Sequence, residues 1–78
     1  MNTTIVQPLP SLAESVMRDV VRMAVANAPS LRAFARSAGV SAAYVSDVLA
    51  GKRGVGPKLA AHFGYRVRKV TSLVYDPA

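Results

Sequence analysis

Residues 30–53, SLRAFARSAGVSAAYVSDVLAGKR, read as two short helices joined by a tight glycine turn and followed by a basic loop. Ser30 can cap a first helix in which Leu31, Phe34, Ala35 and Ala38 fall at the i, i+3, i+4, i+7 spacing of one buried face. Gly39 stops that helix, because a left-handed closing turn between two packed helices leaves little room for a Cβ. Val40 fills the corner, and Ser41 is placed to cap a second helix over residues 42–50. In that second helix Val45, Val48 and Leu49 make an apolar stripe. Ala42, Ala43, Ser46, Asp47 and Ala50 make the opposite face, small and polar enough to approach another surface closely. Two helices, a turn and a trailing basic loop are the layout of a DNA-reading helix-turn-helix.

Charge points the same way. Ten Lys and Arg oppose four Asp and Glu, which gives a formal net charge of +6 and a pI near 10.6. In a domain this small that balance favours a polyanionic partner. Between Asp47 and Asp76 there is no acid, yet Lys52, Arg53, Lys58, Arg66, Arg68 and Lys69 all fall there. Upstream, Glu14 can pair with Arg18 at i+4 and Asp19 with Arg22 at i+3, so the unmatched charge gathers behind the second helix, where phosphates would run.

The flanks complete a small fold. Ser11-Leu12-Ala13-Glu14 has the form of a capping box, and Leu12, Val16, Val20 and Met23 give a stripe predicted to be buried in a helix running to about Ala26. Asn27 and Pro29 end it. Pro57 suits the first position of a short helix over residues 57–63, with Gly64 as its stop. The stretch YRVRKVTSLVY, from Tyr65 to Tyr75, is rich in β-branched and aromatic residues and reads as a strand or a bent pair of strands. A lone strand cannot satisfy its own ladder, so it is expected to pair with its copy in a second subunit, or with the strand-like residues Thr3 to Val6.

The matching residues Ala35, Gly39-Val40-Ser41, Val45, Val48 and Gly51-Lys52-Arg53 resemble the Cro and phage-repressor family of helix-turn-helix proteins, the group called xenobiotic-response-element-like. That resemblance implies a mainly α, small α+β domain of four helices, lambda-repressor-like, with a C-terminal β-strand that pairs across a dimer. It divides the chain into an N-terminal arm (1–10), a helix-turn-helix domain (11–64) and a dimerisation tail (65–78). It further implies a transcription regulator, a repressor that holds a palindromic operator in double-stranded DNA as a homodimer. The second helix departs from many relatives in carrying no Gln, Asn or Arg with which to read bases. Two other readings stay open: the antitoxin of a toxin-antitoxin pair, or a basic RNA- or protein-binding adaptor.

Ser41, Ala42, Ala43, Ser46 and Asp47 are the residues expected at base edges, and Arg32, Arg36, Tyr44, Lys52, Arg53 and Lys58 those expected on the DNA backbone. Each also has a plainer role. Arg32 and Arg36 can simply solvate their helix, Tyr44 can pack against a neighbouring helix, and Asp47 can pair with a local arginine. His62 has no second ligand at metal spacing, and the loop Gly51-Lys52-Arg53-Gly54-Val55-Gly56 lacks the spacing of a phosphate-cradling Walker motif, so no enzyme, metal or cofactor is expected. No small-molecule ligand is expected either. Seventy-eight residues without cysteine suit a single domain in a reducing compartment, and MNTTIVQPLP has no basic region ahead of an apolar core. No membrane span is apparent, and a cytoplasmic location is the expectation.

Overall fold

Ser30 and Ser41 cap as their positions dictate, each hydroxyl oxygen accepting from the backbone three residues on, Ala33 N–H and Tyr44 N–H, both at 3.0 Å. Between the two helices Gly39 adopts φ 76°, and the Gly39 and Val40 N–H groups turn back to the Arg36 and Ala35 carbonyls. That reciprocal closure satisfies two carbonyls the helix would otherwise leave open. In the computed structural model, which describes residues 11–69 and 73–78, the order is β1 (Leu12–Ala13), α1 (Glu14–Ala26), α2 (Leu31–Ala38), α3 (Ala42–Leu49), α4 (Pro57–His62), β2 (Tyr65–Lys69) and β3 (Leu73–Pro77). The fold is thus a small, mainly helical domain with a three-stranded antiparallel sheet.

The start of α1 differs from its sequence reading. Ala13, not Ser11, occupies the capping position and makes no side-chain cap, because Leu12 and Ala13 pair with β3 and carry the chain into the helix in extended form. The Ser11 hydroxyl instead donates to Asp76. The buried face is also rotated from the expected one. Met17 and Val21 are buried, Leu12 and Val20 are half-buried, and Val16 and Met23 are 45% and 67% exposed. Two apolar stripes overlap on this helix, and the one that turns inward flanks Arg18, whose guanidinium donates to the Val48 carbonyl of α3.

The tail is a hairpin rather than a lone strand. β2 and β3 pair antiparallel with Val67 opposite Tyr75, and β1 adds to the other side of β3 with Leu12 opposite Tyr75, giving the order β1-β3-β2. Both edges of β3 are therefore occupied within the chain, and the argument that it must borrow a copy's edge falls away. Among the described residues the outer edges of the sheet belong to β1, two residues long, and to β2, five residues long. Thr3 to Val6 lie outside the described residues. Nor is the segment from residue 65 an appendage: Tyr75 is wholly buried with Met17, Val21, Phe34, Val45 and Leu59, and its hydroxyl donates to the Val55 carbonyl at 2.8 Å. Burial, and then the charge of Glu14, push its phenol above the ordinary tyrosine range. Removing an apolar side chain such as Leu59 from water contributes about 1.5–3 kcal/mol. In a core this small, the loss of one such contact is a large share of the net stability.

Candidate nucleic-acid interface

On α3, burial of Val45 and Val48 fixes the rotation of the helix and turns Ala43, Ser46 and Ala50 outward, with Ala42 and Asp47 half-buried on the flanks. Ser41 is exposed at the helix start, although its oxygen already serves as the cap. The five residues expected at base edges thus share one side of the helix and its leading end, and none of them carries a bulky group. The close approach foreseen from the sequence is sterically open.

The basic loop behind α3 is held at four successive residues. Arg18 Nη2 donates to the Arg53 carbonyl at 3.4 Å, the Tyr44 hydroxyl to that of Gly54 at 3.3 Å and the Tyr75 hydroxyl to that of Val55 at 2.8 Å. Gly56 N–H completes the set by donating to the Tyr44 oxygen at 2.6 Å. The hydroxyl of Tyr44, expected on the DNA backbone, is directed into the loop, a hydrogen-bonding partner that neither sequence reading named. Gly54 is threaded tightly: a Cβ there would stand 2.7 Å from Leu73 Cδ1 and 2.8 Å from Glu14 Oε2. Lys52 and Arg53 are exposed at the tip of this anchored loop. A loop so tied loses little further backbone freedom on binding a partner.

Two arginines of α1 hold the other end of α3. Arg18 Nε donates to the Val48 carbonyl at 2.8 Å, which also accepts from Gly51 N–H at 3.1 Å, and Arg22 Nη2 donates to that of Leu49 at 3.3 Å, both at the negative end of the helix. Both keep their local ion pairs as well, Arg18 with Glu14 at 3.0 Å and Arg22 with Asp19 at 2.6 Å. Sequence reasoning found the ion pairs and missed the clamp, because a backbone carbonyl as acceptor leaves no mark in residue type. Gly54, Tyr75 and Arg18 are the positioning residues that went unforeseen.

All four acids of the chain are engaged. Besides Glu14 and Asp19, Asp47 meets Arg53 Nε at 3.3 Å and Asp76 meets Arg68 Nε at 2.7 Å. Asp76 accepts from both Arg68 nitrogens and from Ser11, and those hydrogen bonds, Arg68's first, hold its carboxyl down at about 2. What remains is positive. Among the described residues Arg32, Arg36, Lys52, Lys58 and Arg66 form no ion pair, and the first four are exposed on α2, the loop and the start of α4. Lys58 lies over the turn into α3, its Cε 3.2 Å from where a Gly39 Cβ would be. His62 is taken up by aromatic packing, edge-on to Phe34 and Phe63 at 5.6 and 5.1 Å.

Compared with protein-family models, with curated proteins and with solved structures, the chain matches none. Among the described residues no helix is long and apolar enough to cross a membrane.

Proposed function

We propose that this chain is a sequence-specific DNA-binding transcription regulator of the Cro-like helix-turn-helix kind, acting in the cytoplasm as a repressor that occludes a promoter. Its α3 enters the major groove with Ala42, Ala43, Ser46 and Asp47 at base edges. Arg32, Arg36, Lys52 and Lys58 lie along the phosphates. The observation that carries this reading is the charge arrangement: every carboxylate is paired within the chain, and four exposed cations with no ion pair among the described residues lie on α2, the loop after α3 and the start of α4, while α3 exposes a face of small side chains. A protein with cations so placed gains affinity by releasing the counterions of a polyanion, while small side chains let the helix reach base edges. Thymine methyl contacts from Ala42 and Ala43 and an amino-group contact from Asp47 are the readout this face supports.

Binding as a homodimer to a palindrome follows if a copy adds to the free edge of β2. Ala78 N–H donates to the Gly64 carbonyl at 2.7 Å, so alternation along the antiparallel ladder turns the Arg66 and Arg68 backbone groups toward β3 and those of Tyr65 and Val67 outward. A copy placed with its two-fold axis on Val67 sets Arg66 opposite the copy's Arg68, a like-charge approach offset by the Asp76 carboxylate that Arg68 already holds.

Selection of bound sequences from a random duplex pool tests the whole reading. A single enriched motif with two-fold symmetry is the expected result, and retention without enrichment would reduce the protein to a basic adaptor. No retention at all would remove the DNA reading.

A further inference from the structure

Asp47 is the carboxylate on the exposed side of α3, and its partner is not on its own helix. Arg53 reaches back from the loop, Nε to Oδ2 3.3 Å. The backbone of Arg53 is fixed, since its carbonyl accepts from Arg18 and the next three residues are bonded to Tyr44 and Tyr75. Only its side chain has somewhere else to go. With side chains 64% and 38% exposed, the two partners are held loosely, and water or another ion can replace either one.

Near a duplex the two groups are drawn to different places. The guanidinium is attracted to phosphate and the carboxylate is repelled by it. If Arg53 left alone, Asp47 would face the polyanion with no donor, so the exchange is favourable only when Asp47 also finds a partner. In the major groove the base-edge donor suited to a carboxylate is an exocyclic amino group, cytosine's above all. We infer that Asp47 and Arg53 form an exchange pair that couples base reading to backbone binding. On random DNA the pair stays closed and Arg53 adds little. On a site that sets an amino group before Asp47, the carboxylate turns to the base and Arg53 is released to a phosphate. This rests on the DNA-binding reading above, and it converts one weak base contact into an added ionic contact present only at the right sequence.

The test uses the full chain, a duplex carrying the selected motif and a scrambled duplex, with affinity measured by fluorescence anisotropy across a range of salt concentrations. Arg53→Ala is expected to reduce the slope of log affinity against log salt by about 1 on the selected site, the loss of one phosphate contact, and by far less on the scrambled duplex. Asp47→Asn frees Arg53 without changing shape, so it is expected to raise the slope on the scrambled duplex by about 1 and to narrow the affinity ratio between the two duplexes about tenfold. Lys52→Ala, in the same loop but outside the pair, lowers both slopes alike and shows that the loop is still folded and docked. Equal losses on both duplexes for Arg53→Ala would overturn the exchange and leave Arg53 an ordinary phosphate ligand. No slope change on either would also overturn it. Failure of the unaltered chain to bind any duplex is a different result, which overturns the underlying reading.

Discussion

Arg18 Nε lies 2.8 Å from the Val48 carbonyl oxygen, so a side chain of α1 closes the C-terminal end of α3. The same guanidinium reaches Glu14 and the Arg53 carbonyl, which makes it the point where α1, α3 and the basic loop are tied together. Its side chain is 18% exposed, so the hydrogen bonds are largely shielded from competing water. Arg18→Met keeps much of the apolar stem and removes the donors, and it should cost about 2 kcal/mol of stability by leaving the Val48 carbonyl without its charged donor. Urea unfolding reads that loss. DNA affinity measured where the variant is still folded should fall as well, because the loop is no longer pinned to α1.

Gly54→Ala places a methyl group within 2.8 Å of the side-chain ends of Leu73 and Glu14, which must turn aside to admit it, at an expected cost of about 1 kcal/mol. Gly51→Ala is the informative contrast. Nothing lies within 4 Å of its would-be Cβ, and only its φ of 80° penalises the substitution, by about 1–2 kcal/mol. A Gly54 variant as stable as the parent would mean that the Leu73 and Glu14 side chains swing clear without loss.

Lys52 is exposed, unpaired among the described residues and carried on an anchored loop. Lys52→Ala should weaken binding to every duplex to the same degree and flatten the salt dependence by about 1 in log–log slope. Titrations at several salt concentrations decide it, and an unaltered slope would place the loop away from DNA.

The outward N–H of Val67 separates dimer formation from folding. Val67→Pro deletes that donor and leaves the bonds of Arg66 and Arg68 to β3 in place, since proline is tolerated on an edge strand whose N–H faces away from the ladder. Sedimentation should show a weaker dimer with helical circular dichroism retained, and affinity for a palindrome should drop further than affinity for a half-site, as the second contact ceases to be intramolecular. A dimer of undiminished strength would move the interface elsewhere.

Acid should loosen the clasp between β1, β2 and β3. The Asp76 carboxyl titrates at about 2 in the folded chain against an ordinary 3.8, so its contribution is whole above about pH 4 and is lost as the pH falls toward 2. Thermal unfolding followed between pH 5 and pH 2 should therefore show a steeper fall in Tm for the parent than for Asp76→Asn, which lacks the titrating group.

Local chemistry was legible in the sequence and long-range closure was not. The caps at Ser30 and Ser41 and the left-handed Gly39 are decided within three or four residues, and each stands where its residue type placed it. The face of α1 was misread because Val16 and Met23 repeat at helical spacing as well as Met17 and Val21 do, and only the packing of α1 against the other elements selects between the two stripes. Leu12 and Ala13 could not be recognised as a strand from their own sequence, since two residues pair only because β3 offers them an edge. On α3, the outward turn of Ala43 and Ser46 followed from Val45 and Val48, whereas the fate of the Tyr44 hydroxyl depended on a loop ten residues away.

Tyr75 also sets an order of events during synthesis. The ribosome delivers α1, α2, α3 and α4 first, and each leaves the exit tunnel before the residue that fills the middle of their shared interior and stands beside Leu12 in the sheet. Until Tyr75 follows, the Val55 carbonyl has no donor there and β1 has no partner strand. Closure of that interior therefore awaits β3, through a contact with β1 at the far end of the described residues, rather than proceeding helix by helix.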